Sequence, residues 1–209
     1  MLTWEKEVSK LVEPIMKQIM GLQFIQGFIN ADLPREKFAA YLAQDILYCK
    51  EYQSFLVTLS EKVEEEEYKK FFKERAESTA NYILDREKVG KEFGIGDNLV
   101  KNKICFNYLN FLKNSIENGT VCEGLAAIFP CCWVYDELSM LMYKDFKHEN
   151  NPYEIMLKVK KEPSPKRLKM QEICNLYAEK FPNEKEKMNQ LFIKGVEYEL
   201  HFFEYSYVE

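Results

Sequence analysis

Apolar side chains recur at spacings of three and four along nearly the whole chain, and the strict alternation of a half-buried strand is missing. That pattern predicts an all-α protein. Breaks fall at Gly21, at Ala31-Asp32-Leu33-Pro34, at Gly94-Ile95-Gly96-Asp97, at Asn118-Gly119, at Asn151-Pro152 and at Pro163-Ser164-Pro165. They divide the chain into seven expected helices, 3–20, 35–62, 65–93, 98–117, 121–146, 164–181 and 184–206, with a short eighth at 153–160. No linker-like stretch interrupts the series, so one domain over residues 1–209 is expected. The run Glu64 to Glu67 fits the start of a helix, where the dipole favours negative charge.

Composition narrows what such a bundle can do. Of the 209 residues 46% are hydrophobic and 14% aromatic, enough for a core that encloses a small-molecule pocket. A net charge of −5 offers no broad positive field to a phosphate backbone, which argues against nucleic acid. Charge appears by the fifth residue, and no apolar run is expected to reach the roughly 18 residues of a membrane span, so no membrane partner and a cytoplasmic location are expected. The six cysteines then read as reduced thiols, with no Cys-x-x-Cys pair among them. Only His148 and His201 are present, and neither belongs to a Glu-x-x-His motif, so neither a metal nor another cofactor is expected.

Three segments could carry chemistry. Tyr41, Asp45, Tyr48 and Tyr52 share one stripe of the long helix 35–62, placing an acid among phenols. It reads either as an ordinary boundary stripe or as a pocket wall. In Phe129-Pro130-Cys131-Cys132, proline inside an apolar helix tends to kink or start a helical segment and to expose the next residue, here Cys131. Tyr135 lies one turn on along the same face, whereas Cys132 points about 100° away and suits a packed small hydrophobe. In the last helix Glu199 and Phe202 share a face, so an aromatic wall could raise the pKa of a carboxylate into the range of a general acid or base.

Together these segments resemble the TenA/thiaminase II family of the haem-oxygenase-like helical fold. Phe24-Ile25-Gln26-Gly27, Leu33-Pro34 and Tyr41 to Asp45 are similar to its opening block, Ala126 to Cys131 with Tyr135 to its nucleophile block, and Tyr198 to Phe203 to its C-terminal block. The resemblance implies a cofactor-free homo-oligomer, a tetramer, in which Cys131 is the nucleophile and Glu199 the acid and base. It places Asp45, Tyr48 and Tyr52 at pocket positions, Tyr108 near the cysteine, and Tyr135 and Phe202 against the substrate ring. The implied reaction is hydrolysis of 4-amino-5-aminomethyl-2-methylpyrimidine, and more slowly of thiamine, to hydroxymethylpyrimidine in thiamine salvage. Asp45 would either bind the aminopyrimidine edge or poise Cys131. Three departures stand out: Leu22-Gln23 where the family has His-Pro, Phe203-Glu204 where it has Trp-Asp, and Tyr153, Met156 and Lys160 where it has a tyrosine, a tryptophan and a pocket tyrosine. The last change removes a pocket phenol and leaves two alternatives open. One is a non-catalytic pyrimidine-binding or regulatory protein; the other is a related enzyme on a different small heterocycle, with Lys160 facing an acidic group.

Overall fold

A computed structural model describes residues 2–208. Eight α-helices follow one another: α1 (Trp4–Gly21), α2 (Gln23–Asn30), α3 (Arg35–Lys62), α4 (Glu66–Glu92), α5 (Lys103–Lys113), α6 (Val121–Met142), α7 (Pro165–Lys180) and α8 (Lys185–Val208). A π-helical turn at Asn114–Asn118 and a 3-10 turn at Pro182–Glu184 join them, and there is no strand among the described residues. The long pair α3 and α4 packs along its length, while α8 runs through the middle, touching α1, α2, α3, α5 and α6.

Local chemistry explains where α5, α6 and α7 begin and where α4 ends. Thr120 and Glu123 form a reciprocal capping box that starts α6, and the Ser164 side chain accepts from Arg167 N to start α7 at Pro165. At the end of α4, Gly94 adopts φ +80°, a left-handed turn that returns Ile95 N to Gly90 O at 2.9 Å. The expected 98–117 helix begins later, at Lys103, because the Asn102 side chain caps it by accepting from Cys105 N; the Asn102 amide is itself held by Gln44 Oε1.

Two expectations are corrected outright. Residues 23–30, expected to lie between helices, form α2, whose Phe24, Ile25, Phe28 and Ile29 are all buried at helical spacing. The short helix at 153–160 does not form: the segment is a loop pinned by Asn151, which donates to Phe28 O and Lys147 O, and by Ser139, which bonds the backbone of Lys158 and Lys160. Those side-chain anchors satisfy backbone groups that a helix would otherwise pair internally.

Pro130 neither starts nor ends a helix. It is buried within α6, where it removes one backbone donor, and its ring seats against Gly195 of α8. A Cβ on Gly195 would stand 2.5 Å from Pro130 Cγ and 3.3 Å from Ala127 O, so only glycine lets the two helices approach this closely. Gly195→Ala is therefore expected to destabilise the protein by about 1–3 kcal/mol, the usual cost of overpacking a core. Equilibrium urea unfolding checks this, and an unchanged midpoint would show that the seam can spread without cost. The apolar expectation also needs amending: α6 is long and apolar enough to cross a membrane, but 67% of its most apolar window is buried inside the bundle, as suits a core helix.

Candidate active site

A cavity of about 410 Å³ opens between α3, α4, α5, α6 and α8 and the loop before α7. Helical spacing delivers its walls. Asp45, Tyr48 and Tyr52 stand three and four residues apart on α3, Cys131 and Tyr135 four apart on α6, and Glu199 and Phe202 three apart on α8, so each helix turns one stripe inward. Tyr108 of α5 closes the set. The eight residues assigned to the site thus line a single cavity, whereas Tyr41, on the same stripe of α3, stays behind it in the core.

Glu199 lies at the bottom, 3% exposed, and accepts a hydrogen bond from the Tyr108 hydroxyl at 2.7 Å. Burial pushes its pKa from 4.5 up to about 8; the Tyr108 bond opposes that rise and the Asp45 charge adds to it. The shift favours the protonated form at neutral pH. The Cys131 thiol is likewise held well above its ordinary value, first by burial, then by Glu199 and Cys132, against smaller opposing effects of Tyr48 and Arg75. Both shifts favour the neutral forms of this pair, a thiol and a carboxylic acid.

Aromatic rings surround this pair. Tyr48 stacks on Tyr52 with centroids 5.6 Å apart, lies 5.0 Å from Tyr108 and meets Phe202 edge-on at 6.1 Å. The Tyr48 hydroxyl is buried and faces the Cys131 thiol and the Tyr108 hydroxyl, lowering the pKa of each as a hydrogen-bonding neighbour, with Glu199 also within electrostatic reach. Tyr135 shares a 2.6 Å hydrogen bond with Tyr41, which sits behind it in the core. Cys132 is not part of the cavity lining; its thiol turns back toward Phe129 O at 3.5 Å.

The surroundings of Asp45 were missed in the sequence. Its carboxylate accepts from Tyr82 at 3.0 Å and from the Cys49 thiol at 3.7 Å, and the Arg86 guanidinium lies 3.8 Å away. Burial raises the Asp45 pKa, with Arg86, Tyr82 and Cys49 each countering that effect. Arg86, stacked over Tyr82, also donates to Met156 O and so ties the loop to α4. Tyr82 supplies from α4 a cavity phenol where Met156 and Lys160 bring none. The signal was present in α4: Arg75, Ser78, Thr79, Tyr82 and Arg86 fall on one helical stripe, which a polar composition disguises as solvated surface.

The profile of the TENA/THI-4/PQQC family matches residues 10–209. The chain belongs to this family. Among TENA/THI-4 relatives, it is 25% identical to the thiamine biosynthesis multifunctional protein ThiED of Corynebacterium efficiens over 66% of this chain and 19% of that one. It is 23% identical to an aminopyrimidine aminohydrolase of Halalkalibacterium halodurans over 61% of this chain and 59% of that one. The matches thus span less than two thirds of either relative's own length. The structure of a TenA homologue from Pyrococcus furiosus superposes with a TM-score of 0.89 at 24% identity, covering 98% of this chain and all of that one, which shows the shared haem-oxygenase-like all-α fold.

Proposed function

We propose that this protein is an aminopyrimidine aminohydrolase of the thiaminase II kind, cleaving the bond between the exocyclic methylene of an aminopyrimidine and its amine. The observation that carries this reading is that the half-buried Cys131 thiol and the buried Glu199 carboxyl line one aromatic cavity together with Asp45. A flat ring fits between Tyr48, Tyr135 and Phe202, with Tyr52 supporting Tyr48 from behind. Asp45 hydrogen-bonds Cys49 rather than Cys131, which favours a role in holding the amino edge of the ring over one in poising the nucleophile.

Because the thiol is neutral at rest, its proton has to leave as the substrate reacts. The Cys131 sulfur adds to an electron-poor ring carbon and its proton passes to a ring nitrogen. The ring electrons then expel the amine, which takes the Glu199 proton. Water adds to the exocyclic carbon and returns a proton to the Glu199 carboxylate, after which sulfur leaves and takes back the ring-nitrogen proton, restoring ring and thiol. The balance is aminomethyl plus water to hydroxymethyl plus ammonia.

The test is incubation with 4-amino-5-aminomethyl-2-methylpyrimidine and, separately, with thiamine, following products by mass spectrometry. Hydroxymethylpyrimidine is expected from both, faster from the first. Tight binding of the pyrimidine with no product would make the protein a binder instead. The same reading includes a cytoplasmic homotetramer, checked by light scattering as a mass well above the 24.9 kDa of one chain.

A further inference from the structure

The cavity holds more positive charge than its own acids neutralise. Asp45 faces Arg86, and Asp136 holds Lys160 at 2.9 Å while accepting two hydrogen bonds from Ser164. Glu199 is held by the Tyr108 hydroxyl and makes no salt bridge among the described residues. That leaves Arg75 and Lys166, both lining the cavity, without a carboxylate.

Arg75 makes no salt bridge among the described residues. One amine of its guanidinium donates to the Tyr52 hydroxyl at 3.1 Å, and its buried Nε has no acceptor among the described residues. A guanidinium withdrawn from water in this way is unfavourable unless an anion completes it. Lys166, in the first turn of α7, lies within electrostatic reach of Arg75 and Lys160; its pKa is lowered, by partial burial first and then by Arg75. Lys166 is exposed, Arg75 half-buried and Glu199 enclosed, so Lys166 stands at the open end of the cavity, the acid at its closed end, and Arg75 between them within electrostatic reach of Cys131.

We propose that Arg75 and Lys166 form an anion subsite between the thiol and the cavity mouth, which receives a carboxylate or phosphate carried by the substrate on its exocyclic arm. The planar fork of arginine suits either oxyanion, and the mobile lysine adds a second charge from across the opening. The proposal rests on the aminopyrimidine reading for the identity of the ring and stands apart from it for the anion.

Calorimetric titration with hydroxymethyl-aminopyrimidine, with its phosphate ester and with the carboxymethyl analogue is the test, run on the parent protein and on Arg75→Gln, Arg75→Lys and Lys166→Gln. At least one anionic ligand is expected to bind about ten- to a hundredfold more tightly than the neutral alcohol, the range of one charge-assisted hydrogen bond. Which of the two gains more distinguishes phosphate from carboxylate. The ratio of anionic to neutral affinity should fall about tenfold or more in Arg75→Gln and in Lys166→Gln, with partial recovery in Arg75→Lys. Equal affinities in the parent, or a preference that survives both glutamine variants, overturns the subsite. So does a result in which Arg75→Gln alters only the pH dependence of thiol alkylation, since Arg75 would then be a counter-ion to sulfur. Should Arg75→Gln fail to fold, the exposed Lys166 still decides. Turnover of the neutral aminomethyl substrate separates the two claims. Turnover without anion preference removes the subsite alone, and anion preference without turnover removes the aminohydrolase reading alone.

Discussion

Cys131→Ser is expected to lower turnover by at least about 10³ while binding of the pyrimidine and thermal stability change little. Serine keeps nearly the volume of cysteine but replaces a polarizable sulfur by a hydroxyl that is hardly ionised. Burial makes the demand on sulfur greater, since the resting thiol is already held well above its ordinary pKa and only a soft nucleophile reacts as its proton departs. Cys132→Ser is the control: its thiol faces Phe129 O, outside the cavity lining, so it should cost modest stability and leave the rate near that of the parent. Steady-state kinetics on the two variants decide the matter. Inactivation by Cys132→Ser with survival of Cys131→Ser would move the nucleophile by one residue, and full activity in both would end the covalent mechanism.

Glu199→Gln should slow turnover by about 10²–10⁴ and remove the limb of the pH profile in which the rate falls as the acid ionises near pH 8. The same substitution should stabilise the fold at high pH. The folded pKa of Glu199, about 8, lies above its ordinary 4.5, so between those values the folded state holds a proton that the unfolded chain has lost. Stability contributed by this group is complete below pH 4.5 and is lost as pH rises towards 8, with a full amplitude on the order of 5 kcal/mol. Glutamine keeps the hydrogen bond from Tyr108 but cannot titrate. Urea unfolding of both proteins from pH 5 to 9 should show the parent losing several kcal/mol relative to the variant. Parallel curves would mean that Glu199 ionises freely in the folded state.

The helical class and most helix positions were legible because period and breaks are properties of neighbours along the chain. The α3 boundaries, 35–62, came out unchanged, since Pro34 and the end of a long apolar stripe define them locally. α2 was lost because eight residues between two breaks resemble a connection unless the buried pairs Phe24-Ile25 and Phe28-Ile29 are read as a face. Seven of the eight candidate site residues were legible in three separated segments, and Tyr108 through the family resemblance alone. Their convergence depends on how α3, α6 and α8 cross, which no local pattern states. Arg75, Tyr82 and Arg86 stayed hidden for a related reason: on a polar helix, charged residues that turn inward have the same spacing as those that turn outward, and only packing tells them apart.

The contact between Pro130 and Gly195 divides the cavity into parts that can change at different rates. Cys131 follows that proline on α6, and Glu199 lies one turn beyond that glycine on α8, so the reacting pair is mounted on a joint that tolerates almost no added bulk. Arg75, Tyr82 and Met156 lie on α4 and on the loop before α7, away from that joint. Engineering, or natural drift, can therefore retool which ring substituents are accepted by rewriting α4 and the loop while the distance between sulfur and acid stays set; a change at position 195 would have to arrive together with the loss of the proline.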